Sequence, residues 1–320
     1  MKPHVLVAVN GFTEKHMERI QQVVSGWATL EQMNEEAPEA VFREKIGRSQ
    51  IVVGWPKAEW LAGSPVRLVQ LGSVGYDAFL GSTTQDHASF TLCNASGVMS
   101  VAVAEHLIAM MFALTRRISQ HIRDMHEHKW IRQFEYEEVF GSTACIVGVG
   151  DIGTEIARRL RALGVRTIGV RREIGELHPY MDEMYPSSRM NEALSQADHV
   201  ILILPGNAST EKLFNYNMFA SMKNGAYFYN LARGSIVDEN VLYAALTSGR
   251  LKGAGLDVFE IEPLPEGSPL WELDNVIISP HAGGRSVKEF DRFCQLLLNN
   301  LMNYRDGKPF LNQVNYKRES

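Results

Sequence analysis

Residues 145–153, Cys145-Ile-Val-Gly148-Val-Gly150-Asp151-Ile152-Gly153, run directly into TEIARRLRALG at 154–164, and this stretch decides the fold. A G-x-G-x-x-G alone is a weak signal. Here it ends a strand and opens a helix, which is the context in which each glycine has a mechanical task. Gly148 permits a tight turn, Gly150 lets the backbone approach a pyrophosphate, and Gly153 lets the helix pack closely on the strand. The helix N-terminus adds unpaired N–H groups and the positive end of its dipole. The expectation is a dinucleotide-binding element whose helix runs from Thr154 to Leu163.

Downstream the pattern continues with strands in VRTIGV, HVILILP, AYFYNLA, GAGLDVF and NVIIS and a helix in ENVLYAALTSG, a second complete doubly wound unit. Upstream, HVLVAV, a helix from Glu14 to Trp27, SQIVVGW, RLVQLGSVG and SFTLCNAS make a first one. Runs that are apolar on both faces suit parallel sheets covered on both sides. From Val101 to about Arg132 neither Gly nor Pro interrupts the chain, so one long helix is expected to lead from the first unit to the second, with the boundary near Val98 to Ser100. The segment from Val287 to Tyr304 reads as an amphipathic helix with no strand after it, placed to return to the first unit.

Composition narrows the function classes. Hydrophobic residues make up 45% and charged residues 22% of 320, which excludes bulk disorder. Lys and Arg number 32 against 37 Asp and Glu, a net charge of -5, so no nucleic-acid partner is expected. Three scattered cysteines, Cys93, Cys145 and Cys294, fit neither a disulfide framework nor a zinc site and point to a reducing compartment. The apolar run at 98–114 is broken by Ser100, Glu105 and His106, and the N-terminal run is short for a secretion signal, so a cytoplasmic protein without a membrane span is expected. His121, His126 and His128 are not spaced to share a helical face, so no metal is expected.

Beyond the fingerprint, the strand TIGV ends at Val170, where an acidic side chain would hold the ribose hydroxyls of NAD. This chain has Arg171-Arg172 there, and two guanidiniums suit a 2′-phosphate, so NADP(H) is preferred over NAD(H). If the strand ends later, Glu173 holds the ribose and the arginines belong to a solvated loop. Arg233, Glu262 and His281 each follow a strand of the second unit and can gather at one sheet edge beside the cofactor crevice. Taken singly each could be a surface charge or a turn residue.

Together with QLGSVGYD at 70–77, LPGNASTEKLFN at 204–215, NLARGSIVDENVL at 230–242, GAGLDVFEIEPLP at 253–265, SPLW at 268–271 and SPHAGG at 279–284, they resemble the D-isomer-specific 2-hydroxyacid dehydrogenases. The glyoxylate and hydroxypyruvate reductase branch is the most similar. The resemblance implies an α/β fold of two doubly wound, Rossmann-like parallel-sheet domains. A dinucleotide-binding domain at 100–286 is inserted into a discontinuous substrate domain at 1–99 and 287–320. It implies reduction of a small 2-oxoacid to the D-2-hydroxyacid, with Arg233 on the keto and carboxylate oxygens, His281 as general acid and Glu262 paired with the imidazole. A carboxylate beside the ring fixes its orientation and stabilises positive charge on it.

The amides of Val74 and Gly75 are implied for the substrate carboxylate, with plain turn geometry as the alternative. For the cofactor the resemblance implies Gly148, Gly150, Asp151, Ile152, Arg171, Arg172, Leu204, Pro205, Thr210, Ala232, Asp257 and His281. Loop capping is the alternative for Thr210 and its neighbour Asn207, and plain hydrogen-bond acceptance is the alternative for Asp257. A homodimer through the helix at 101–132 is expected, with Trp130 either reaching the partner's substrate or packing at the interface. Met99 and Ser100 depart from many members, and Arg285 adds a cation of unassigned role. The competing readings are a phosphoglycerate dehydrogenase-like enzyme and a dinucleotide-sensing binding protein of the corepressor type.

Overall fold

The computed structural model describes residues 2–79, 90–132, 135–174 and 177–314. The chain divides into two compact units, residues 1–99 with 286–320 and residues 100–285. Of the first range, residues 1, 80–89 and 315–320 lie outside the described residues.

Unit 1 opens with β1 (His4–Val7), α1 (Glu14–Val24), β2 (Thr29–Gln32), α2 (Glu39–Ile46), β3 (Ile51–Gly54), β4 (Leu68–Leu71) and β5 (Thr91–Cys93). The five strands form a sheet in the order β2-β1-β3-β4-β5, each pairing parallel. Alternation along each strand sends Val5, Val7, Ile51 and Val53 to one face and Leu6, Val52 and Val69 to the other, so IVVG and its neighbours are buried on both sides. The helix of Glu14 ends at Val24, where the sequence pattern had carried it to Trp27. β2 and α2 carry no expectation from the sequence. Thr29-Leu-Glu-Gln32 has one apolar residue because it lies at the sheet edge, so the continuous apolar run of a central strand is absent.

Unit 2 follows with α3 (Ser100–Thr115), α4 (Ile118–His126), β6 (Thr143–Val147), α5 (Asp151–Ala162), β7 (Arg166–Arg171), β8 (Glu183–Pro186), α6 (Met190–Leu194), β9 (His199–Leu202), α7 (Tyr216–Ser221), β10 (Ala226–Asn230), α8 (Glu239–Thr247), β11 (Leu251–Leu256) and β12 (Val276–Ile278). Its seven-stranded sheet runs β12-β11-β10-β9-β6-β7-β8, again with parallel pairings, and buries Cys145, Val147, Val200, Leu202, Phe228 and Ala254 against α6, α7 and α8. β8, another edge strand, was likewise not anticipated. The chain then returns to unit 1 with α9 (Glu289–Asp306), whose Phe293, Leu297 and Leu301 pack with Val5, Ile20, Val24 and Val53.

The expected single helix at 101–132 is a correction: it is two helices, α3 and α4, and residues 127–132 are not helical. Arg117 takes a left-handed conformation, φ 53°, and Arg117 N donates to Leu114 O at 3.1 Å, tightening the last turn of α3. Thr115 O, which a continuous helix would offer to residue 119, instead accepts from Glu137 N at 3.2 Å. A long-range partner for one carbonyl ends the helix with no Gly or Pro to announce it.

Candidate active site

The order of the seven-stranded sheet reverses between β6 and β9, and β6 leads straight into the glycine loop. In open α/β sheets this crevice at the carboxyl ends of the strands is where ligands bind. Gly148 sits at φ +106°, and a Cβ there would lie 2.4 Å from Ile203 O, so only glycine lets the loops after β6 and β9 cross. A Cβ on Gly153 would meet Gly148 O at 2.4 Å, whereas one on Gly150 would meet nothing within 4 Å. Two glycines therefore serve packing and the third faces open space. Gly150 caps α5 with no side chain hydrogen-bonded to the first turn, leaving those amides to an anionic group. α5 starts at Asp151, three residues earlier than the sequence suggested, so Asp151 and Ile152 belong to its first turn. This cradle fits a dinucleotide pyrophosphate.

Gly148 N donates to Val170 O at 3.0 Å and draws the end of β7 against the loop. β7 continues through Arg171, one residue past the expected end, and Arg171, Arg172 and Glu173 are all exposed beside it. Beyond β9, Leu204 and Pro205 open a turn that Thr210 closes: its hydroxyl accepts from Asn207 N at 2.9 Å and lies 3.0 Å from Pro205 O. Asn207 Oδ1 accepts from Ser209 N at 2.9 Å. Both side chains thus build their own loop.

The three polar residues all belong to unit 2. Arg233 follows β10, and Asn230, which the sequence reading passed over, brackets its loop: Nδ2 donates to Arg233 O at 3.1 Å and Oδ1 accepts from Ala232 N at 3.1 Å. Arg233 Nη1 donates to Ala232 O at 2.7 Å. A Cβ on Gly234 would come within 1.9 Å of the Phe259 backbone, so the loop after β10 lies directly on the loop after β11 that carries Glu262. Glu262 Oε1 accepts from Phe259 N at 3.1 Å, and its Oε2 is 2.8 Å from His281 Nδ1. The carboxylate can only accept, so Nδ1 bears the hydrogen and Nε2 is the ring's other working nitrogen. The ring is half-exposed, and His281 itself is held at φ 51°.

Asp257, at the end of β11, is buried, and its two oxygens accept from Ala282 N and Gly283 N, each at 2.9 Å. Its carbonyl accepts from His281 N at 2.8 Å. Asp257 therefore grips the loop at the histidine and at the two residues after it.

The structure does not place every singled-out residue at this edge. Val74 and Gly75 belong to unit 1, where Asn94 Nδ2 donates to Val74 O at 2.9 Å, Ser73 Oγ donates to Gly75 O at 2.8 Å, and the Trp55 ring lies against Gly72. Trp130 lies past the end of α4 and is 91% exposed. Among the described residues no group of three or more His, Cys, Asp or Glu side chains could hold a metal ion, and no helix is long and apolar enough to cross a membrane.

The family model for the NAD binding domain of D-isomer specific 2-hydroxyacid dehydrogenases matches residues 108–283. The chain is similar to a glyoxylate reductase of Korarchaeum cryptofilum, 31% identical over 98% of this chain and 96% of the relative. It is also similar to a D-3-phosphoglycerate dehydrogenase of Archaeoglobus fulgidus, 30% identical over 79% of this chain and 48% of the relative. Among solved structures, a D-isomer specific 2-hydroxyacid dehydrogenase family protein of Aeromonas salmonicida superposes with a TM-score of 0.85 at 27% identity, covering 99% of this chain and all of that one.

Proposed function

Because the chain belongs to the D-isomer-specific 2-hydroxyacid dehydrogenase family and is an NAD(P)-dependent oxidoreductase, we propose that it reduces a small 2-oxoacid of the glyoxylate or hydroxypyruvate type, with NADPH preferred over NADH. The observation that carries this is the 2.8 Å contact of His281 Nδ1 with Glu262 on the same sheet edge as the Gly148–Gly153 cradle. The nicotinamide, when bound, supplies the hydride. Negative charge then grows on the keto oxygen, and a guanidinium fixed at Arg233 stabilises it while also holding the carboxylate of the acid. His281 delivers a proton to that oxygen from Nε2, and Glu262 keeps the ring turned so that Nε2 points outward. In oxidation the same nitrogen takes the proton back. Val74 and Gly75 are proposed as amides for the substrate carboxylate, and Arg171 with Arg172 as the 2′-phosphate contacts.

The test is the absorbance of the reduced nicotinamide followed over a panel of 2-oxoacids, with each dinucleotide in turn. Rapid turnover of glyoxylate or hydroxypyruvate with NADPH is expected, and none with any 2-oxoacid would sink the reading. The similarity to a phosphoglycerate dehydrogenase favours a second reading, so a phosphorylated 2-oxoacid belongs in the same panel. The panel also separates a catalyst from a corepressor-like dinucleotide sensor, which would bind NADPH and turn over nothing.

We further propose a homodimer seated on the broken arm at 101–132, where Ile122 and Met125 of α4 and Trp130 and Ile131 beyond it stand exposed. Sedimentation at micromolar concentration should give twice the 35.9 kDa of one chain. Cys93, Cys145 and Cys294 are all buried and unpaired, which suits a reducing cytoplasm.

A further inference from the structure

Asp257 does more than accept the two amides of the histidine loop. Its Oδ1 also accepts from Ser279 Oγ at 2.5 Å, and Ser279 Oγ lies 2.9 Å from His106 Nε2, on the second turn of α3. A serine hydroxyl has one hydrogen. Since the ionised carboxylate can only accept, that hydrogen goes to Asp257, and the contact with His106 must be made by a hydrogen on the histidine. His106 therefore carries its proton on Nε2, and the polarity runs one way, from His106 through Ser279 to Asp257. The dipoles of this chain all point their positive ends toward the buried carboxylate, each strengthening the next.

The direct gap between His106 Nε2 and Asp257 Oδ1 is 3.7 Å, so the hydroxyl is the bridge. A Cβ on Gly283 would lie 2.9 Å from Asp257 Oδ2 and 3.4 Å from the His106 ring, so ring, carboxylate and loop are in mutual contact. The carboxylate thus accepts from three donors, Ser279 Oγ and the amides of Ala282 and Gly283, with the His106 N–H one step behind the hydroxyl.

We propose that His106 and Ser279 are positioning residues for His281: they fix the rotamer of Asp257, and Asp257 holds residues 281–283 so that the His281 backbone keeps its left-handed conformation and the imidazole stays opposite Glu262. The proposal rests on the assignment of His281 as the proton donor. Neither residue touches a reacting atom. Their effect is on the placement of one that does, where a displacement of about 1 Å costs about 10²-fold in rate.

The test uses four variants of the full chain, assayed with NADPH and glyoxylate, together with nitrogen NMR of histidine-labelled protein. Ser279→Ala and His106→Leu should each lower kcat by about 10–10²-fold with KM for NADPH unchanged. His106→Gln, which offers an N–H at a similar reach, should restore most of the loss. The NMR spectrum should show the His106 hydrogen on Nε2, independently of whether any variant folds. A Gln variant no better than Leu, full kcat in Ser279→Ala, or a hydrogen found on Nδ1 would each overturn the proposal. His281→Ala is the control: if it keeps full activity, the assignment of the proton donor falls and the positioning role with it, whereas an inactive His281→Ala beside fully active Ser279→Ala and His106→Leu removes the positioning role alone.

Discussion

The seven-stranded sheet carries a histidine at each end, and the two are opposites. His281 follows β12 at the carboxyl end, half-exposed, with a carboxylate 2.8 Å from its ring. His199 opens β9 at the amino end, 2% exposed, stacked on Tyr227 at 5.3 Å between ring centroids and 3.1 Å from the Tyr229 hydroxyl. Burial pushes the His199 ring down to about 4, so it is neutral near pH 7. One imidazole is open to solvent, where the proposed proton transfer needs it, and the other is kept from exchanging protons by burial. Parallel strands put polar loops and the glycine cradle at their carboxyl ends, so chemistry gathers there and the opposite end is left to serve stability.

Variants at each end should separate the two roles. His281→Ala has the largest expected effect, a loss of about 10²–10⁴ in turnover with an unchanged melting temperature and unchanged NADPH affinity. Full activity in that variant would erase the contrast. His199 should show the reverse. The unfolded chain binds a proton near the ordinary value of 6.5 that the native ring refuses until about 4, so stability is complete above 6.5 and falls by about 3 kcal/mol as pH drops toward 4. Chemical denaturation across that range measures it, and His199→Phe should flatten the slope while leaving kcat intact. A slope that persists in His199→Phe would assign the acid lability elsewhere.

Smaller effects sharpen the picture within the carboxyl end. Arg171→Asp should erode the proposed preference for NADPH over NADH by about 10–10²-fold, roughly 1.4–3 kcal/mol, read from kcat/KM with each dinucleotide. The glycine loop then divides in two. Gly153→Ala pushes a methyl against Gly148 O and should cost about 1–3 kcal/mol in a thermal melt. Gly150→Ala enters open space, so its melt should hold while dinucleotide binding, followed by fluorescence titration, weakens. Equal melts for the two variants would contradict the division.

These differences mark what could be read along the chain. The central strands and the glycine loop are legible because their causes are local: an apolar run, or a side chain that must be missing. Arg233, Glu262 and His281 are legible only as a set, through the motifs around them. The edge strands β2 and β8 are not, since an edge relaxes the demand for apolar residues on both faces. Nor is the break at Arg117, caused by an amide 22 residues beyond Thr115, or the link from His106 to Ser279, whose partners lie 173 residues apart. Where the cause of a feature is a distant partner, composition and periodicity carry no trace of it.

The packing of α9 into unit 1 has a consequence for how the molecule is made. Val5, Ile20, Val24 and Val53 are finished early, yet Phe293, Leu297 and Leu301, which cover them, lie on the far side of the whole of unit 2. At a ribosomal pace of about 5–20 residues per second, that apolar face waits about 12–50 s for its cover. Unit 2 is continuous and can close on itself during the wait. The nascent first unit therefore stays open on that face until α9 has been made.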